Sequence, residues 1–407
     1  MKQIEGGVTA AMGFEAAGVE AGVKYQNRKD MAIVYSTVPC KTAGTFTTNV
    51  VKAAPVLWDK EIVENSPYAQ AVIVNTGIAN AGTGRQGMEY CKEEAKKAAA
   101  LFGIPENAVF VGSTGVIGKQ LPMERILAGI EKLAAAKNSS LEAGHDAATA
   151  IMTTDTITKE IAVELELGGK KVTIGGMSKG SGMIHPNMCT MLAYITSDIA
   201  ISKALLQEAL SVSIIDTFNM ISVDGDTSTN DTCLLMANGL AGNAEITEKN
   251  EDYDKFCEAL NFVNQYLARK MAGDGEGACA LFETTVYHAA TKQEARTLAK
   301  SVISSNLTKA AIYGHDANWG RILCALGYSG IQFNPENVDI FVQSKAGKLQ
   351  LCKDGVENDY SEEEAAKILS ESEVTVLVDM KMGSEQATAW GCDLTYDYVK
   401  INADYRS

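Results

Sequence analysis

The strongest constraint on the fold lies mid-chain, where strand signals are interrupted by a loop that neither a strand nor a helix can absorb. Val163-Glu164-Leu165-Glu166-Leu167 and Lys170-Lys171-Val172-Thr173-Ile174 alternate polar and apolar residues on either side of Gly168-Gly169. Such alternation marks half-buried strands, and two glycines supply the positive φ angles that a tight hairpin turn demands. The chain then enters Lys179-Gly180-Ser181-Gly182-Met183-Ile184-His185-Pro186-Asn187-Met188-Cys189, broken by two glycines and a proline. It leaves through Thr190-Met191-Leu192-Ala193-Tyr194-Ile195, which reads as a strand. The hydroxyl of Thr190 therefore sits where an irregular loop meets an apolar strand. That position suits a nucleophile, and it equally suits a buried threonine opening a strand.

Strands and helices alternate elsewhere too. Gln70–Val74 is a short apolar run closed by Asn75-Thr76-Gly77, a buried strand ending in a turn, whereas Met88–Phe102 and Met123–Lys137 carry apolar residues at helical spacing. Further helices are expected over Lys203–Met220, Asp254–Met271 and Lys292–Ser304. Ser361-Glu362-Glu363-Glu364 reads as a capping box that opens another, with Ser361 as N-cap and Glu364 reaching back. Val374–Val378 and Leu394–Ile401 read as strands. The mixture predicts an α/β (α+β) protein, with a soft boundary where the Gly-rich segment near 280 gives way to a helix-and-strand unit, hence domains 1–280 and 281–407.

Composition excludes several classes. A net charge of −15 argues against nucleic acid and anionic membranes, which need concentrated Lys and Arg. No apolar run approaches the ~20 residues of a membrane helix, and Met1–Gly7 lacks the pattern of a secretory signal, so a cytoplasmic protein acting on small molecules is expected. The nine cysteines form no Cys-x-x-Cys pair, which points to reduced, mostly buried thiols rather than zinc or disulfides.

Several turns could hold ligands. Gly112-Ser113-Thr114-Gly115-Val116-Ile117-Gly118 reads as a glycine-rich turn able to aim N–H groups and a hydroxyl at an anion. Lys119 follows it, but five residues separate Gly112 from Gly118 where a phosphate loop has four, and Gln120 replaces the metal-binding hydroxyl. In Asp274-Gly275-Glu276-Gly277-Ala278-Cys279 the glycines allow close backbone approach and the carboxylate can take an ammonium group. Asp224-Gly225-Asp226 lacks the remaining ligands of a calcium loop and reads as a turn whose carboxylates accept backbone N–H bonds.

Together with Ala150–Thr156, Val223–Asp231 and Asn318-Trp319-Gly320-Arg321, these segments resemble, in order and over essentially the whole chain, the glutamate N-acetyltransferase (ornithine acetyltransferase) family. That family cuts itself before the threonine of Lys-Gly-x-Gly-Met-x-x-Pro-x-Met-x-Thr. The resemblance implies cleavage at Cys189–Thr190 into chains 1–189 and 190–407, and a layered α-β-β-α sandwich of the self-processing N-terminal-nucleophile type with a smaller C-terminal α/β domain. It implies Thr190 as nucleophile, Thr114 and Gly115 as the oxyanion hole, and Thr153, Lys179, Thr190, Glu276, Asn402 and Ser407 as substrate contacts. Three departures stand out: Cys279 and Ala280 replace the family's Thr-Lys, Cys189 replaces a small Ala or Gly, and Ile78 stands where Asn is more usual in Asn75–Asn80. The aromatic tail, Trp390 to Ser407, is expected to dock at the site rather than fray.

The implied activity is acetyl transfer from N2-acetylornithine to glutamate by a ping-pong route, part of arginine synthesis, with acetyl-CoA as a further donor in some members. No metal or organic cofactor is implied, and the assembly implied is a heterotetramer of two of each cleaved chain. Freeing the Thr190 α-amine places a base with a pKa of about 8 beside the hydroxyl, so no histidine is required. The rival readings are an N-terminal-nucleophile amidohydrolase or aminopeptidase, in which water resolves the acyl-enzyme, and a non-catalytic amino-acid-binding homologue.

Overall fold

The computed structural model describes residues 1–185 and 191–403. These form two compact units: 1–180, 191–218 and 227–267 in the first, and 181–185, 219–226 and 268–403 in the second. The units part at Leu267/Ala268, inside helix Glu251–Gly273, whereas sequence composition changes near 280.

In the first unit the Gly168-Gly169 hairpin forms as expected, with φ of 55° and 72° and with Leu167 paired to Lys170. Its strands, Lys159–Leu167 and Lys170–Lys179, belong to a nine-stranded sheet. The spatial order is Lys2–Ile4, Lys159–Leu167, Lys170–Lys179, Leu192–Ser197, Thr232–Ala237, Met31–Phe46, Ala69–Ile78 and Val109–Val116, with Phe14–Val19 added beside Met31–Phe46. Alternate residues of strands Ala69–Ile78 and Val109–Val116 enter two separate cores. Val72, Val74 and Phe110 pack in one, while Ala71, Ile73 and Val111 pack in the other. Helices Arg85–Phe102 and Met123–Ala136 supply Cys91, Ala95, Ile126, Ile130 and Leu133 to the second core, the Ile and Leu side chains each contributing about 1.5–3 kcal/mol. Helix Leu141–Ala150 supplies Ala147, Ala148 and Ala150 to the first. Covered on both faces, such strands read as unbroken apolar runs rather than alternating ones.

The second unit holds a seven-stranded sheet in the order Val356–Glu357, Gly347–Lys353, Asp339–Ser344, Glu373–Asp379, Leu281–Ala289, Glu385–Cys392 and Ile221–Ser222. Helix Lys292–Ser304 lies against its central strands, burying Leu298 and Val302. This helix has the bounds read from sequence, and Thr291 and Glu294 close a full capping box at its start. At Ser361 only half of the expected box is present, the Ser361 hydroxyl accepting from Glu364 N.

Three expectations are corrected. Helix Lys203–Ile215 stops short of Met220, and a separate 3-10 turn covers Phe218–Met220. The residues after Val111 do not turn at once: the strand continues to Val116, and Ile117-Gly118 make the turn. Leu394–Ile401 is not a strand but the approach to helix Tyr396–Ala403. The Thr395 hydroxyl accepts from Tyr398 N and donates to Gly277 O, and Asp397 and Lys400 sit at the helix ends their charges favour. A local cap outweighed the β-propensity of Thr, Tyr and Val.

One buried carboxyl carries a pH signature. Glu94, on helix Arg85–Phe102, is fully buried, and among the described residues neither of its oxygens has a hydrogen-bond partner. Burial, with the Asp59 and Glu93 carboxyls adding to it, pushes Glu94 up from 4.5 to about 8. The folded protein therefore keeps a proton that the unfolded chain releases, and stability falls as pH rises from about 4.5 to about 8, then levels. Glu94→Gln cannot ionise. Its melting temperature should gain on that of wild type as pH rises across this window. A wild-type-minus-variant difference independent of pH would refute the assignment.

Candidate active site

In the first unit the site is organised by Asp155, a carboxylate that no motif in the sequence marks out. Asp155 and Lys159 have fully buried side chains and pair at 2.7 Å, four residues apart in the chain. The same Asp155 oxygen accepts from Gly180 N at 2.7 Å, and the other accepts from Thr153 N at 3.0 Å and lies 3.9 Å from Lys179 Nζ. Burial alone would raise this carboxyl, but Lys179 and Lys159 outweigh it and hold Asp155 well below its ordinary value. Thr153 is thereby fixed through its backbone, and Arg28 donates to Met152 O at 2.7 Å beside it.

Lys179 ends strand Lys170–Lys179 and is itself buried, with Nζ 3.4 Å from Thr114 Oγ1. An ammonium group only donates, so the Thr114 oxygen accepts here and its own proton stays available to a second acceptor. Thr114 and Gly115 lie on strand Val109–Val116, whose register against Ala69–Ile78 shifts where Gly77 meets Gly115. Gly115 has φ of 129°, and a Cβ there would stand 2.3 Å from the Gly77 carbonyl carbon. Only glycine lets the two backbones approach so closely. The strand is pinned here: Asn230 Nδ2 donates to Ser113 O at 2.8 Å and to Ala79 O at 2.6 Å, and Ser113 Oγ donates to Asn75 Oδ1 at 2.6 Å. Asn230, like Asp155, carried no assigned role in the sequence reading. Its place in the acidic Val223–Asp231 segment was the only signal.

The second unit contributes another cluster. Glu276 is buried in the Asp274–Gly277 loop; its N–H donates to Ser181 O at 3.0 Å, and Ser181 Oγ donates to Asp274 O at 2.7 Å. Asn402, on the terminal helix, donates to Glu276 Oε2 at 2.7 Å. A Cβ at Gly182 would fall 2.3 Å from that same oxygen, so a side chain there would displace the carboxylate. Cys279 and Ala280 both donate their N–H groups to Asp393 Oδ1, so the backbone at these departures from the family pattern is held whatever the side chains.

The structure thus brings Thr114, Gly115, Thr153 and Lys179 together in one unit, and Glu276 with Asn402 in the other. Cys189, Thr190 and Ser407 lie outside the described residues. Among the described residues no group of His, Cys, Asp and Glu could hold a metal, and no helix is long and apolar enough to cross a membrane. Five of the eight described cysteines are buried and none is in a disulfide, as expected from their spacing.

Comparison with known proteins places these residues in a family. The model of the ArgJ family matches residues 15–407. The arginine biosynthesis bifunctional protein ArgJ of Thermotoga neapolitana is 51% identical over 396 residues, covering 97% of this chain and 99% of its own. That of Caldanaerobacter subterraneus subsp. tengcongensis is 49% identical over 407 residues and the full length of both. A crystal structure of the protein of the same name from Bacillus halodurans is 47% identical with a TM-score of 0.51, and the whole of that solved chain corresponds to 53% of this one.

Removing the charge of Asp155 takes from the buried Lys159 ammonium group its carboxylate counter-charge, at a cost of about 3–5 kcal/mol. Asp155→Asn should therefore lower the melting temperature strongly, and adding Lys159→Met should recover part of the loss. Equal destabilisation by the single and double variants, measured by calorimetry, would mean that the pairing carries no such energy.

Proposed function

The chain belongs to the ArgJ family, and from that premise we infer that it is an acetyltransferase of arginine biosynthesis, moving the acetyl group of N2-acetylornithine to glutamate. The observation that carries the site assignment is the contact of buried Lys179 with Thr114 beside the Gly77–Gly115 crossing. It leaves one hydroxyl proton and adjacent backbone on a strand held by Asn230, Asn75 and the close approach of Gly77, as a preformed hole for a developing negative oxygen requires.

In this reading the bond between Cys189 and Thr190 breaks first, giving Thr190 an α-amine. Thr190 Oγ then attacks the acetyl carbonyl while its own amine takes the hydroxyl proton. The Thr114 hydroxyl and the Gly115 backbone receive the oxyanion, and ornithine leaves with the proton. Glutamate's amine attacks the resulting ester by the same steps in reverse. Lys179 offers its charge to a substrate carboxylate, while Glu276, steadied by Asn402, meets an ammonium group, with Thr153 and Ser407 as further contacts. That a solved relative's chain corresponds to little more than half of this one supports the cut, since either product would be of about that size. The proposed assembly is two copies of each fragment, acting in the cytoplasm without a cofactor. The word "bifunctional" in the relatives' names favours acetyl-CoA as a second donor to glutamate.

Intact mass and a denaturing gel should show two fragments in place of one 43.4 kDa chain, with Thr at the new N-terminus. Thr190→Ala should stay whole and inactive, and Cys189→Ala should process normally because only the carbonyl of residue 189 takes part. An active preparation that remains wholly uncut would exclude the mechanism. Supplying acetylornithine and glutamate together separates transfer from hydrolysis: N-acetylglutamate is expected, and acetate alone would mark an amidohydrolase.

Thr114→Ala should lower kcat and kcat/KM by similar factors, on the order of 100-fold, because the lost donor acts on charge present only after attack. An unchanged kcat with a raised KM would make Thr114 a ground-state contact instead.

A further inference from the structure

Inside the second unit, residues 181–185 are fastened far more tightly than an irregular loop needs. Met183 has φ of 55°, a left-handed conformation that non-glycine residues rarely adopt. Asp224 faces it: Oδ2 accepts from Met183 N at 2.6 Å and Oδ1 accepts from Ile184 N at 2.8 Å. Val223 N donates back to Ile184 O at 2.6 Å, and His185 Nδ1 lies 2.9 Å from Ser222 Oγ. Two successive N–H groups turned onto one carboxylate form the concave anion cradle that a left-handed residue creates. Asp224 fills it with a side chain of the same protein, so the strained residue and its counter-charge lock one another. Met183 is also half exposed and contributes little packing, so no core demands this conformation.

Strain held by its surroundings belongs where geometry matters to chemistry. We propose that Asp224 is a positioning residue for self-cleavage: its carboxylate holds Met183 left-handed and thereby sets the path on which the chain enters the segment carrying the Cys189–Thr190 bond. The proposal rests on the reading of Thr190 given above. In the step itself the Thr190 hydroxyl oxygen bonds to the Cys189 carbonyl carbon, the C–N bond breaks, and the amide nitrogen takes the hydroxyl proton to become the α-amine. Water then hydrolyses the ester, leaving a carboxylate on Cys189 and the hydroxyl on Thr190, and the α-amine accepts the released proton. The attack is intramolecular and depends on alignment, so an error of an ångström in the approach costs about a hundredfold.

Asparagine at 224 keeps one acceptor and turns an NH2 group toward the other N–H donor. Freshly translated Asp224→Asn chain, followed by intact mass against time, should therefore be cut at least about tenfold more slowly than wild type. Met183→Gly in the same chain should restore most of the rate, because glycine takes the positive φ without help, a rescue that a merely structural defect would not show. Tyr398→Phe removes a longer contact to Asp224, a 3.3 Å hydrogen bond from its hydroxyl, while leaving the Met183 and Ile184 N–H bonds in place, and should be cut at the wild-type rate. Met183→Val leaves Asp224 in place but makes the positive φ costlier, and should slow cleavage in a protein that circular dichroism shows to be folded. This last variant decides the matter if Asp224→Asn does not fold. Wild-type cleavage in Asp224→Asn, no gain in the double variant, slow cleavage in Tyr398→Phe or wild-type cleavage in folded Met183→Val would each overturn the proposal. A wild-type chain that never cuts would instead remove the reading of Thr190 on which it rests.

Discussion

A carboxylate buried without compensation would lose its charge, and Asp155 keeps its charge only because Lys159 and Lys179 share it from two sides. The first unit's site follows from that arrangement. Because Asp155 also takes the N–H groups of Thr153 and Gly180, one group fixes the threonine, the lysine at the end of the hairpin strand and the start of the loop beyond it. Lys179, so held, meets Thr114, and the sheet contributes the rest by bringing Gly77 and Gly115 into register.

The second unit repeats the device with different partners. Asp224 and Glu276 are anchored to residues 181–185, one through the N–H groups of Met183 and Ile184, the other by donating to Ser181 O while its side chain crowds Gly182. Both also touch the terminal helix, Asp224 through Tyr398 and Glu276 through Asn402. Helix Tyr396–Ala403 is thus held by hydrogen bonds to carboxylates rather than by burial: none of its residues is buried, and Tyr396 is exposed.

In the proposed mechanism the nucleophile carries its own base and asks little of the rest of the protein in the way of acids and bases. What it needs is electrostatic: donors that do not reorganise, and fixed charges for the zwitterionic ends of amino-acid substrates. The buried polar groups are of that kind, with ammonium, amide and hydroxyl donors locked by carboxylates and backbone.

Much of this was legible in the chain. The glycine hairpin and helices Arg85–Phe102 and Lys292–Ser304 depend on contacts between near neighbours, where periodicity and turn chemistry act. The resemblance carried by the Lys179–Leu192 and Asp274–Cys279 motifs named the residues of chemical interest. What tertiary structure alone decided is which distant groups answer them. Asp155 and Asn230 are ordinary polar residues in sequence, and become central because burial raises the cost of leaving any polar group unpaired. Leu394–Ile401 looked like a strand until the Thr395 hydroxyl, held by Gly277 from the far side of the unit's sequence, capped a helix instead. Gly115 looked like the middle of a turn, yet it is a strand residue whose missing Cβ matters only because Gly77 runs alongside. Sequence specifies local conformations. Which buried charge faces which donor is settled only when separate segments of the chain meet, as Asp155 meets Gly180 N at 2.7 Å and Lys179 meets Thr114 at 3.4 Å.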